Sequence, residues 1–144
     1  MPRTIESYFI ASVLVHLVVV LVHSGAHIVL GILPPLPDSA FISVVIVAGP
    51  PVCLLLLRDR RLTSIVLIAI LMAGAFLYGF NGHFYAEGPD RVALNLAEWP
   101  TILFVGTAVA LGVLEAMSLA LALAAIPSSR RPSPSSTDPA DSAA

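Results

Sequence analysis

The chain has 144 residues, 58% of them hydrophobic and only 11% charged, and its mean hydropathy is +0.95. A soluble domain carries about 25% charged residues, so this composition excludes an ordinary water-soluble globule, a disordered chain and a nucleic-acid binder, and leaves a polytopic membrane protein. All seven basic residues are arginine, and the formal charge of -2 is too small and too dispersed to imply a polyanionic partner.

Four apolar stretches follow in chain order, over residues 8–33, 39–57, 63–83 and 99–126. Each is close to or beyond the roughly 20 residues an α-helix needs to cross about 30 Å of hydrocarbon. Period-2 alternation is absent, which excludes a β-barrel. The sequence therefore predicts an all-α, integral membrane bundle of four transmembrane helices with short loops. The first stretch is too long for the apolar region of a cleaved signal and lacks a small-residue cleavage pattern, so it reads as a retained helix.

The breaks between the stretches are chemically plain. Pro34-Pro35 and Pro37-Asp38 are expected to end the first helix, Arg58-Asp59-Arg60-Arg61 separates the second from the third, and Gly88-Pro89-Asp90 precedes the fourth. The segment from Pro89 to Trp99 places Val92, Leu96 and Trp99 at i, i+4 and i+7, the pattern of a short interfacial helix. Residues 127–144 are rich in Ser and Pro and are expected to form a disordered cytoplasmic tail.

Orientation follows from arginine. In a four-span topology Arg3, Arg58, Arg60, Arg61, Arg130 and Arg131 share one side and Arg91 stands alone on the other. The positive-inside rule then puts both termini in the cytoplasm of a cell whose plasma membrane the chain spans. Tyr78, Phe80, Phe84, Tyr85 and Trp99 fall at the outer boundary, where aromatic rings anchor helices.

Two features concern packing. Ala108, Gly112, Ala116, Ala120 and Ala124 recur every four residues in the fourth stretch, a small-residue face of the kind that brings membrane helices together, within the chain or in a homo-oligomer or larger complex. Gly49-Pro50-Pro51 interrupts the second stretch and deprives the carbonyls near Ile46 and Val47 of donors. The outcome is a simple kink or the broken helix of an ion site.

The polar residues inside these stretches carry whatever chemistry there is. His16, His23 and His27 are spaced by seven and four, which puts all three on one helical face over a rise of about 16.5 Å. A lipid-facing row of imidazoles is costly, so that face points inward. His23 and His27 form an i, i+4 pair without the glutamate of a zinc protease, Ser24 standing in its place. His83, at the matching end of the third stretch, makes His23, His27 and His83 a candidate set for a transition metal, with haem b as the alternative. Asn81, Glu87, Asp90 and Glu98 lie near this end in sequence.

Glu115, deep in the fourth stretch, is an intramembrane carboxyl and a functional candidate by default. Its depth, about 16 Å from Ile126, matches that of His16, about 12 Å from Tyr8, so the two are expected to meet as a polar or proton-exchanging pair.

Phosphate-binding, nucleophile-elbow and C-x-x-C motifs are absent, and Cys53 is the one cysteine. The composition points first to a small accessory, assembly or structural membrane component. A metal- or haem-binding membrane protein and an oligomeric proton-coupled transporter or channel subunit are the alternatives. A cytoplasm-dependent reporter fused after Ala144 is expected to be active, and one that works only in the periplasm or outside the cell is expected to be silent; the reverse result overturns the topology.

Overall fold

In the computed structural model, which describes residues 3–88, 91 and 98–129, every regular element among the described residues is helical. Four helices are long and apolar enough to cross a membrane: α1 (Arg3–Leu30), α2 (Leu36–Leu55), α3 (Arg61–Tyr85) and α4 (Trp99–Ser129). The predicted interfacial helix between Pro89 and Trp99 lies for the most part outside the described residues, as does the tail beyond Ser129.

Helix α1 ends three residues before the expected boundary, and Gly31 rather than the prolines stops it. Gly31 takes φ +68°, its N–H donates to the Ile28 carbonyl at 3.1 Å, and the Ile32 N–H donates to the His27 carbonyl at 3.0 Å. This pair of bonds is the Schellman arrangement, in which a left-handed residue lets the chain turn back and satisfy the last carbonyls. Pro37, expected to help end α1, instead sits in the first turn of α2, where its missing N–H costs nothing.

Helix α2 survives Gly49-Pro50-Pro51 by changing register. Residues Ile42–Ala48 are π-helical, and the Gly49 N–H reaches back five residues to the Val44 carbonyl. A wider turn placed directly before two residues that cannot donate redistributes the bonds without ending the helix. Gly49 is also a point of close approach. A Cβ there would lie 2.9 Å from Leu71 Cδ1 of α3 and 3.0 Å from the Val44 carbonyl oxygen. The last turn of α2 tightens, with Leu56 and Leu57 donating to the Cys53 and Leu54 carbonyls.

Helix α4 packs between α1 and α3, while α2 leans on α3 and α1. The buried face of α4 is Phe104, Ala108, Leu111, Glu115, Ser118, Ala122 and Ala125, and that of α1 includes Phe9, Val13, His16, Val20 and His23. Both alternate steps of three and four, the spacing that keeps one seam facing a neighbour in a gently supercoiled pair. Small residues at strict four-residue spacing rotate by about 40° per step relative to a 3.6-residue helix. Accordingly only Ala108 of that predicted face is buried and Gly112 half-buried, while Ala116, Ala120 and Ala124 point outward.

Two apolar clusters fill the interior. Phe9, Val13, Ile65, Ile68, Met72, Ala122 and Ala125 close the half of the bundle near the arginine loop. Val20, Ile46, Ala75 and Leu111 form a smaller group farther along. At the arginine end Arg61 pairs with Glu6, tying the starts of α1 and α3 together. The expected tail boundary at Pro127 moves as well: α4 continues through Ser129, because proline in the last turn removes a single helical bond.

Gly49→Val forces a branched side chain against Leu71 and the Val44 carbonyl, and overpacking of this kind costs about 1–3 kcal/mol. The variant is expected to lose thermal stability in detergent relative to the parent, while Gly74→Ala, where a Cβ meets nothing within 4 Å, is expected to keep it.

Candidate metal centre and buried polar pair

The bundle half away from the arginine loop gathers three histidines from two helices. His23 and His27 are one turn apart on α1. His83 comes from the π-helical end of α3, Asn81–Tyr85, where the Ala86 N–H bonds the Asn81 carbonyl five residues back. One extra residue in a turn rotates the positions that follow it by about 100°. The direction in which His83 projects is therefore a consequence of this local widening.

The nitrogen geometry is tight. His27 Nε2 lies 3.0 Å from His23 Nε2, and His83 Nε2 lies 3.2 Å from His23 Nε2. One ligand atom from each ring falls within 4.8 Å of the others. All three rings also pack on Phe104, with His23 stacked at 5.0 Å and the other two edge-on at 4.9 and 5.3 Å. The phenyl ring supports the cluster from the α4 side.

The outer ring nitrogens determine where the protons sit. His27 Nδ1 faces the Ile32 carbonyl at 3.1 Å. A carbonyl only accepts, so Nδ1 carries the hydrogen and donates. His23 Nδ1 lies 2.8 Å from Thr107 Oγ1. The Thr107 hydroxyl also lies 2.6 Å from the Leu103 carbonyl and 3.1 Å from the Phe104 carbonyl, so it can accept from His23 while donating to the backbone. His27 thus holds its Nδ1 proton outward and turns its Nε2 lone pair toward His23, and His23 matches it when Thr107 serves as its acceptor. The Ile32 carbonyl is in place because Gly31 reverses the chain; the Ile32 N–H bonds the His27 carbonyl in return, so backbone and ring clamp one another.

The sequence-predicted companions divide. Asn81, Glu87 and Glu98 are exposed and stand outside the histidine group; Asp90 lies outside the described residues. Thr107 and Phe104 were not anticipated. Thr107 could have been found by the depth matching applied to His16 and Glu115, since it lies eight residues before Glu115 as His23 lies seven after His16.

The second polar feature lies deeper. His16 Nε2 and Glu115 Oε1 are 3.2 Å apart, and the two residues are 1% and 4% exposed. One step nearer the arginine end, Ser118 Oγ donates to Ser12 Oγ at 3.0 Å, and Ser12 donates to the Phe9 carbonyl. The seam between α1 and α4 is therefore a ladder of Ser12–Ser118, His16–Glu115 and His23–Thr107. In hydrocarbon each rung satisfies groups that would otherwise lack any partner.

A cavity of about 370 Å³ connects the two features. Its walls include His23, His27 and His83 at one end and Glu115 at the other, with Val20, Ile42, Ile46, Ala75 and Leu111 between. Comparison of the chain with protein-family models, with curated proteins and with solved structures finds no match. What the site can do follows from its own geometry.

Removing the carboxyl tests the deeper pair. Glu115→Ala strands a buried imidazole nitrogen and is expected to cost about 1–3 kcal/mol, read as a lowered thermal midpoint in detergent. Glu115→Gln keeps a hydrogen-bonding partner for His16 and is expected to lose less. Equal stability of the alanine variant and the parent would mean that the pair does not hold the helices together.

Proposed function

We propose that this is a multi-pass membrane protein that holds one transition-metal ion on His23, His27 and His83, in the plasma membrane, with both termini cytoplasmic and the metal in the outer half. The carrying observation is the convergence of three imidazole nitrogens, with His23 and His27 Nε2 3.0 Å apart and His83 Nε2 3.2 Å from His23 Nε2. Two imidazole nitrogens this close share either a proton or a metal ion. Metal-binding histidines characteristically donate their other N–H to a carbonyl or another oxygen, which fixes tautomer and ring direction, and His27 and His23 do this toward Ile32 and Thr107.

The spacing favours a small ion over haem. With metal–nitrogen bonds of about 2.0–2.1 Å, ligand nitrogens lie about 2.9 Å apart at right angles and about 3.4 Å apart in a tetrahedron. Axial haem ligands sit on opposite faces, about 4 Å apart. The observed 3.0 and 3.2 Å separations match the first two. Neutral imidazoles suit zinc and copper, and three of them leave a further position that faces the cavity.

Packing also bears on the transporter alternative. Phe9, Val13, Ile65, Ile68 and Met72 plug the bundle below the cavity, which favours a resident ion over one in transit. The accessory or assembly role expected from composition, with purely structural histidines, is the competing reading, and its outward Ala116, Ala120 and Ala124 would be the contact with a second copy or a partner.

Elemental analysis of the purified full chain discriminates. One zinc or copper ion per chain is expected, and cobalt loading should give the intense visible bands of a low-symmetry site. Alanine at His23, His27 or His83 is expected to weaken binding by at least 100-fold, and Thr107→Val, which removes the acceptor behind His23, by about 10- to 100-fold. A chain that binds no stoichiometric metal returns the reading to a structural cluster, and a Soret band returns it to haem.

A further inference from the structure

The cavity has features that a metal site alone does not require. It runs between two polar ends, the histidine cluster and Glu115, and its middle is walled by Val20, Ile46 and Leu111. The two ends are separated by seven residues along α1 and eight along α4, a rise of about 10.5–12 Å. Its volume of about 370 Å³ would hold roughly a dozen waters at their liquid volume, far more than one metal-bound water needs. Near the histidine end its lining includes Ile28, Leu33, Phe80 and Phe84, which are 69%, 72%, 43% and 38% exposed. These side chains form an exposed apolar mouth where α1 ends, the connection to α2 begins and α3 widens.

We infer that the cavity binds a membrane-dissolved amphiphile of the quinone or quinol class, with one ring oxygen toward the metal, the opposite oxygen toward Glu115 and the tail leaving through the apolar mouth. The inference rests on the metal reading above. A second polar group on the ligand follows from the lining, which places the Glu115 carboxyl at the end away from the histidines. A fatty acid held on the metal through its carboxylate would set only an alkyl chain against that carboxyl. Length follows from the spacing of the polar ends. A metal–oxygen bond of about 2 Å, ring oxygens about 5 Å apart and a hydrogen bond of about 3 Å together span about 10 Å. The tail is required by the mouth, because a wholly polar ligand would have no reason to pass Ile28, Leu33, Phe80 and Phe84. Glu115 has a free role here: its Oε1 engages His16, and the residue still borders the cavity.

The test uses the full chain in detergent, loaded with cobalt and titrated with a decyl-substituted benzoquinone, with decanoate as the charged comparison. A saturable change in the cobalt visible spectrum is expected with the quinone, at least tenfold tighter than with decanoate. Gly112→Leu projects a side chain from a cavity-lining position where a Cβ meets nothing within 4 Å. It is expected to keep one cobalt per chain and to weaken the quinone response at least tenfold. Glu115→Gln is expected to shift quinone affinity several-fold with metal content unchanged. Failure to load cobalt overturns the metal reading and this one with it. Full loading with no saturable quinone response, with decanoate binding as well as quinone, or with Gly112→Leu indistinguishable from the parent overturns this inference alone.

Discussion

Two imidazole nitrogens 3.0 Å apart, each on a ring whose other nitrogen meets an oxygen, set the terms for half of this molecule. Each outer N–H needs an acceptor, and the fold supplies one from a different element for each ring. Gly31 turns the chain so that the Ile32 carbonyl meets His27. Thr107 on α4 spends its own hydrogen on the Leu103 carbonyl and offers its oxygen to His23. The third ring arrives only because α3 widens into a π-helical turn at Asn81–Tyr85. Local irregularities at two helix ends, a left-handed glycine and a wide turn, thus converge on one cluster.

The same requirement organises the seam between α1 and α4. Between helices surrounded by lipid there is little hydrophobic gain from association, because the tails are as apolar as the side chains. The outward faces are apolar as well, with Val18, Leu21, Val22, Val109 and Val113 all exposed. What distinguishes the inward face is close packing and hydrogen bonding. Ser12–Ser118, His16–Glu115 and His23–Thr107 mark antiparallel register along the seam, and sliding one helix past the other would leave several buried polar groups without partners at once. Register is therefore specified more sharply by these few groups than by the many leucines and valines around them.

The cavity has a packing origin. Helix α2 rests on α3 and α1, and its π-helical stretch Ile42–Ala48 forms a wall opposite Ala108, Leu111 and Gly112 of α4. Ala108 and Gly112 on the α4 side and the displaced register on the α2 side leave space where the four helices would otherwise close. In the other half, Phe9, Ile65, Ile68 and Met72 are large enough to fill it. The bundle is solid at the arginine end and hollow at the histidine end.

The sequence by itself determined the number of helices, their approximate bounds and the inward face of α1. These depend on apolar run length and on the cost of burying polar groups, both local properties of a chain. It also placed His16 and Glu115 at one depth, because rise per residue is constant. It misjudged where α1 stops, since Gly31 and the prolines are both plausible terminators and only the realised φ of Gly31 decides between them. It marked the small-residue face of α4 without saying what covers it, and Ala116, Ala120 and Ala124 turn outward, since small residues every four positions drift around a helix of 3.6 residues per turn. Rotation of one helix about its axis, the widened turn that aims His83, the acceptor role of Thr107 and the hollow beside Glu115 were decided only by the tertiary structure. Each depends on what another helix presents at the same depth, and no single segment carries that information.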